Sequence, residues 1–250
     1  MGLYVEARIR ADLDDLWART QDPARHQRWD LRFTEIDHLP RAEGEPQRFR
    51  YATRVLPFLT VAGTGVSAGE KERPDGTRTS ALRFASPHPL SLLAEGSGYW
   101  RYIPDGDGVR FLTGYDYRPR WGRFGAVADR WLFRPLMGWA TAWSFDRLRL
   151  WLERGITPER ALRNWLAELA VRALVLALGC AGLGLESAVH LFGALAPAAA
   201  YLVPLLCAVA VAAALFAAPL PTTPASRRCL RRPLTRVHAP RVLRALENPR

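Results

Sequence analysis

VRFLTGYDYRP, residues 109–119, followed closely by a long apolar segment from Phe124 to Leu152, decides the fold of this chain. In the first stretch Val109, Phe111, Thr113, Tyr115 and Tyr117 alternate with Arg110, Asp116 and Arg118, the two-residue period of a half-buried strand. In the second, Trp131, Trp139, Trp143 and Trp151 stand among apolar residues, and between Trp131 and Phe145 the only polar side chains are Arg134, Thr141 and Ser144. Such a helix has no solvated face and is expected to be covered nearly all round. Pro135 and Gly138 should bend or loosen it, because proline removes a helix hydrogen bond and glycine adds backbone freedom. A bent helix over a curved sheet follows.

The same alternation extends upstream. Leu3, Val5, Ala7 and Ile9 share one face of an opening strand; Phe49, Tyr51, Thr53 and Val55 oppose Arg48, Arg50 and Arg54; Leu82 with Phe84, and Trp100 with Tyr102, continue the pattern. PDG at 74–76 and PDGDG at 104–108 are turn signals that join these strands as antiparallel hairpins. After the first strand, Asp12 or Asp14 can cap a short helix through Trp17 and Arg19, and Asp22-Pro23 starts another that ends near Trp29-Asp30. The fold class is α+β: strand, two short helices, antiparallel meander, long helix.

In that order, Leu16-Trp17 to Thr20, DPARHQRWD (22–30), GSGYWRY (96–102) and the helix end RLRLWLERG (147–155) resemble the SRPBCC superfamily, the helix-grip domains of START-like and polyketide cyclase-like proteins. The resemblance covers residues 1–155 and implies an apolar cavity between sheet and long helix that takes a lipid, sterol, polyketide or other hydrophobic molecule. Only some members are enzymes. RGITPERALRN (154–164), followed by apolar helices, is similar to bacterial fusions carrying a DoxX-like membrane region, although this chain has room for about two spans rather than four.

Composition bounds the compartment. With 250 residues, 49% apolar and 24% charged, the chain has enough material for a packed core and is not disordered. Cys180, Cys207 and Cys229, odd in number and far apart, supply neither a disulfide framework nor a zinc cluster, which fits a reducing compartment. Of 35 basic residues only Lys71 is a lysine, a usage that favours a bacterial source. The net charge of +11 is concentrated at the end: from Pro219 to Arg250 eight arginines face Glu247 alone. Before this tail, Ala173–Leu185 and Ala188–Leu220 lack Asp, Glu, Lys and Arg. Two membrane spans are expected, one from Ala173 to about Leu195 and a more secure one from Ala199 to Ala218. Arg154, Arg160, Arg163 and Arg172 precede them and Arg227, Arg228, Arg231 and Arg232 follow, so both flanks belong in the cytoplasm. MGLYVEARIRADLDD lacks the apolar region of a signal peptide, consistent with that orientation. The expected organisation is a ligand-binding domain at 1–155, a linker at 156–168, an inner-membrane region at 169–220 and a basic cytoplasmic tail at 221–250. The tail reads as topogenic charge or as a patch for anionic headgroups, not as a nucleic-acid surface.

Catalytic motifs are missing: His26, His38, His88, His190 and His238 are scattered, and there is no HExxH, GxxxxGK[ST], GxSxG or paired CxxC. Gly63, Gly65 and Gly69 lie among strand residues and read as structural; Asp105 and Asp107 form a turn and not a calcium loop. His26, Trp29 and Asp30 form either a polar corner with His26 as proton donor or acceptor or, the preferred reading, a packed Trp29 with Asp30 ending the helix. Glu95 is expected to face away from the cavity unless a bulge at Gly96 or Gly98 reverses it. No cofactor or metal is expected. The expected pocket lining is Phe49, Tyr51, Thr53, Phe84, Trp100, Tyr102, Phe111, Thr113, Tyr115, Trp139 and Trp143, with the hydroxyls orienting a hydrophobic ligand. Glu186 and His190, spaced i, i+4, are expected on one helix face within or at the outer end of the first span, either as a functional intramembrane pair or, the preferred reading, as groups wetted at the periplasmic interface. The sequence therefore points to a membrane-tethered carrier or sensor of a hydrophobic molecule; a cyclase- or dehydratase-like enzyme drawing on His26, Asp30 or Glu95, and an assembly factor with a filled pocket, are the alternatives.

Overall fold

Asp12 opens the first helix: its carboxylate accepts hydrogen bonds from the Asp14 and Asp15 amides at 2.8 and 3.3 Å. Asp22 does the same for the second, with Pro23 in the first turn, where its missing N–H costs nothing. The computed structural model describes residues 2–56, 58–192 and 199–233. In chain order its first unit contains β1 (Leu3–Ile9), α1 (Leu13–Gln21), α2 (Pro23–Trp29), β2 (Glu35–His38), β3 (Arg48–Leu56), β4 (Leu59–Glu72), β5 (Arg78–Ala85), β6 (Leu93–Asp105) and β7 (Gly108–Pro119). It continues through α3 (Gly122–Ala128), a π-helical turn (Asp129–Phe133) and α4 (Arg134–Arg154).

The strands form one antiparallel sheet in the order β1-β7-β6-β5-β4-β3-β2, a meander closed at one edge by β1 against β7. Both hairpin turns read from the sequence are present, with Gly76 and Gly106 at φ 75° and 61°, a conformation glycine adopts without a Cβ clash. The short polar strand β2 was not anticipated. This is the α+β, helix-grip-like arrangement: α4 and the two short helices cover one face of the sheet, where Trp29, Trp100, Tyr102, Phe111, Phe145 and Leu148 pack together.

The long helix differs from expectation in two ways. Its irregularity falls at the π turn, ahead of Pro135, which sits in the first turn of α4 where proline is tolerated. Its cover is also partial. Thr141 to Leu148 are all buried, but Trp131 and Leu132 are 74% and 68% exposed. The segment starts where β7 ends, and its side chains join the core only from Met137 onward.

The first unit also takes in the chain beyond the second unit, from Ala225 to the last described residue, Pro233. Leu230 exchanges two backbone hydrogen bonds, both 2.9 Å, with Glu6 on the free edge of β1. Asp146, whose side chain is fully buried, accepts from the Ala225 amide at 2.8 Å and pairs with Arg228 at 2.9 Å and Arg149 at 2.7 Å. Cys229 donates to the Ala142 carbonyl and Arg231 to that of Pro135. The described part of the expected tail is thus a strap across α4 and β1; Arg236, Arg241, Arg244 and Arg250 lie outside the described residues.

The second unit, Glu159–Pro224, holds most of α5 (Pro158–Phe192) and α6 (Ala199–Phe216). The expected linker is helical from Pro158 on. Pro158–Gly184 is the one stretch among the described residues long and apolar enough to cross a membrane, whereas Leu202–Phe216 is a shorter apolar helix. The two pack closely: a Cβ on Gly179 would stand 2.6 Å from the Val211 side chain, and one on Gly182 2.6 Å from the Cys207 sulfur. Arg172, paired with Glu168 at 2.7 Å, donates to the carbonyls of Ala214, Ala217 and Ala218 at the end of α6. A cation there caps otherwise unpaired carbonyls. The side chains of Glu186 and His190 lie outside what is described.

Replacing Asp146 by alanine strips two arginines and an amide of their shared buried acceptor and is expected to destabilise the first unit by about 3 kcal/mol. A lower thermal midpoint and earlier tryptic cleavage at Arg227 and Arg228 are the measurements.

Candidate functional site

Cross-strand pairing sets a row of alternating rings and glycines across the face of the sheet that also carries the core. Tyr117 on β7 faces Gly96 on β6, Gly96 faces Phe84 on β5, Phe84 faces Gly65 on β4, and Gly65 faces Phe49 on β3. Tyr51 with Gly63, and Tyr115 with Gly98, repeat the arrangement alongside. The rings lie over the glycines: a Cβ at Gly65 would be 2.1 Å from the Phe49 ring, at Gly98 2.4 Å from that of Tyr115, at Gly96 2.6 Å from that of Phe84. A glycine inside a strand marks just such a close approach. Phe49, Tyr51, Phe84, Tyr115 and Tyr117 are all half-buried, unlike the rings deeper on the same face.

The eleven expected pocket residues therefore divide by depth. Trp100, Tyr102, Phe111, Thr113 and Trp143 are buried. Phe111 stacks on Phe145 at 4.4 Å, the Tyr102 hydroxyl meets Thr20 and Gln21 at 2.6 and 2.9 Å, and Thr113 donates to the Tyr99 carbonyl. These are packed core with satisfied hydroxyls. Phe49, Tyr51, Thr53, Phe84, Tyr115 and Trp139 form the accessible part, although the Thr53 hydroxyl is committed to the Arg32 carbonyl. Burial pushes the Tyr51 phenol up to about 12, so it stays a neutral donor at physiological pH.

Beside this face lies a charged cluster that sequence reasoning recognised only in part. Asp30 is buried and accepts from both the Nε and Nη2 of Arg32, at 2.9 and 2.6 Å, and from His26 Nε2 at 3.0 Å. Arg32 lies 5.1 Å from the Tyr115 ring, whose hydroxyl accepts from Trp100 Nε1 at 3.2 Å. His26 is boxed by Trp29, Phe33 and Trp100 at ring distances of 4.9, 5.4 and 4.8 Å. Trp29 does pack into the core and Asp30 does end α2, as preferred; the polar corner forms as well. Arg32 was missed, and its signal was the Asp30-x-Arg32 spacing after a helix end. Burial alone would raise the Asp30 carboxyl, but the Arg32 guanidinium holds it well below the usual range. Burial lowers His26 despite the neighbouring carboxylate. A neutral imidazole held by a carboxylate has the wiring of a general base, yet Asp30 also neutralises a buried arginine. Glu95 is exposed and pairs with Arg118, away from the cluster.

No family model matches the chain. The "Uncharacterized membrane protein YndG" of Bacillus subtilis (strain 168) is 50% identical over 163 residues, 65% of this chain and 61% of that protein, so the chain spans under two thirds of its length. Among solved structures, the STAR-related lipid transfer protein of Xanthomonas axonopodis is similar at 20% identity and TM-score 0.46, over 60% of this chain and 84% of that one. The ZhuI aromatase/cyclase of Streptomyces sp. R1128 is similar at 16% and 0.40, over 59% and 95%. TTHA0849 of Thermus thermophilus is similar at 18% and 0.42, over 55% and 87%.

The lowered His26 pKa fixes a pH dependence. Because the folded value lies below the unfolded one, protonation favours the unfolded chain, and stability falls as pH drops below about 6.5. The slope is at most about 1.4 kcal/mol per pH unit, and Asp30 adds its own loss only below about pH 4. Thermal midpoints between pH 7.5 and 5 should decline in the wild type and flatten in His26→Gln.

Proposed function

We propose that this protein is a membrane-tethered binding protein for a hydrophobic small molecule, a carrier or sensor whose ligand lies on the aromatic–glycine face under α4. The observation that carries the reading is the half-burial of Phe49, Tyr51, Phe84 and Tyr115 on a face that is otherwise closed core. Rings lying flat on glycines offer a broad apolar surface, and the phenol hydroxyls offer the few polar contacts that orient a ligand.

Tethering by α5 and α6 is supported by their apolar composition and by the description of the Bacillus relative as a membrane protein. Connectivity supports an even number of crossings: the chain leaves the first unit at Pro158 and returns to it at Ala225. Two crossings, with the first unit and the strap in the cytoplasm, agree with the flanking arginines. A pocket held beside a bilayer meets a high effective concentration of anything that partitions there.

The His26–Asp30 contact favours a second reading, cyclase- or dehydratase-like catalysis. His26→Ala separates the two, since it removes the base and leaves the aromatic face intact; Asp30→Asn is the poorer probe because it also strands Arg32.

Denaturing extraction and mass spectrometry of the detergent-purified protein should recover an apolar compound that is lost in Phe84→Arg and retained in His26→Ala. Tyr115→Phe should weaken a polar-headed ligand by about 0.5–1.5 kcal/mol. Identical extracts from wild type and a folded Phe84→Arg would overturn the binding reading, and turnover abolished by His26→Ala with binding intact would replace it with the enzymatic one.

A further inference from the structure

The segment joining β7 to α4 combines features that no packed element needs. Phe124, Val127 and Trp131 follow one another at helical spacing and are 73%, 58% and 74% exposed, with Leu132 and Leu136 beside them. They sit at the end of the sheet where β3 turns into β4 and β5 into β6. The most exposed apolar residues of those turns, Phe58 and Leu90, are therefore at the same end. Trp121 is the one non-glycine among the described residues with a left-handed backbone, φ 65°. That conformation is unfavourable for a bulky residue, whose Cβ crowds the following carbonyl oxygen. It is held by a hydrogen bond from its indole N–H to the Pro89 carbonyl, with the residue still exposed. Strain that buries little points to a use for the exposed ring.

Charge specifies what the surface meets. From Arg120 to Leu136 there are four arginines and one aspartate, and Asp129 is turned inward onto Arg134 and the Tyr117 hydroxyl. Arg123 and Arg130 are left on the exposed side. Tryptophan and arginine around an aliphatic and phenylalanine stripe is the composition of a helix lying in a membrane interface.

We propose that this rim, carried by Trp121, Phe124, Val127, Trp131 and Leu132, is a bilayer-docking surface that seats the first unit on anionic lipid headgroups. The inference rests on the membrane-tethered reading above and deepens it. The docked rim borders the row from Tyr117 to Phe49, so a bilayer-soluble ligand passes from lipid to the aromatic face without crossing water.

The full-length chain in nanodiscs of phosphatidylcholine, with and without phosphatidylglycerol, tests this with lipids brominated along the acyl chain. The Trp131 share of the emission is taken by difference from Trp131→Phe. It should be largely quenched in discs containing phosphatidylglycerol and less so in phosphatidylcholine alone. Arg123→Gln and Arg130→Gln should each lower the docked-to-undocked ratio about fivefold. A chain that stays in the discs while Trp131 is unquenched in both lipids overturns the docking surface and leaves the anchor standing. Elution of the chain without discs overturns the anchor and the docking together. Trp131 shielding in lipid-free detergent, accompanied by a doubled mass, assigns the rim to a second copy and also overturns it.

Discussion

A ring laid across a glycine on the neighbouring strand is the contact on which the accessible aromatic face depends. Had Gly65, Gly96 and Gly98 carried side chains, the rings of Phe49, Phe84 and Tyr115 would have to rise from the sheet toward α4 and fill the space beneath it. Lying flat, they shield the strand backbone while staying accessible. The glycines lose strand propensity and gain a ring as cover, so the sheet keeps its pairing through the row.

Deeper on the same face the rule changes. There Trp100, Tyr102 and Phe111 stand between the sheet and α1, α2 and α4, and close a conventional core. The connection after α2 marks the transition. Leu31 donates to Ser144 on α4, the Arg32 carbonyl accepts from Thr53 on β3, and the Arg32 side chain is clamped by Asp30. One short loop thereby ties a helix, a strand and a buried ion pair together, and gives the accessible rings a rigid border. An ion pair so placed costs desolvation, and its contribution is to fix one arrangement of the loop.

What was legible in the sequence followed from short-range physics. The two-residue period placed Trp100, Tyr102, Phe111, Thr113 and Tyr115 on one face, and Pro-Asp-Gly located the turns, because parity and turn chemistry are local. Depth along a strand is not local. Whether Tyr102 lines a pocket or bonds to Thr20 depends on where α1 packs, some eighty residues earlier. Arg32 was hidden among 35 basic residues, and β2, reading EIDH, has no apolar alternation to announce it. The apolar run from Trp131 to Phe145 calls for cover nearly all round, since hydropathy reports a need for cover and is silent on what supplies it. Within the protein, only the half beyond Met137 is covered. The Gly63-x-Gly65 and Gly96-x-Gly98 spacings were visible, and their meaning required knowing which rings faced them across the ladder.

The strap at Ala225–Leu230 bears on the order in which the molecule is made. A ribosome releases β1, the meander and α4 long before it reaches Ala225, and all of α5 and α6 come between. Until then the edge of β1 at Glu6 is unpaired, and the Asp146 carboxylate lacks two of the three donors that justify its burial. The first unit to begin folding is therefore the last to be finished. Its completion registers that the two apolar helices have already been synthesised.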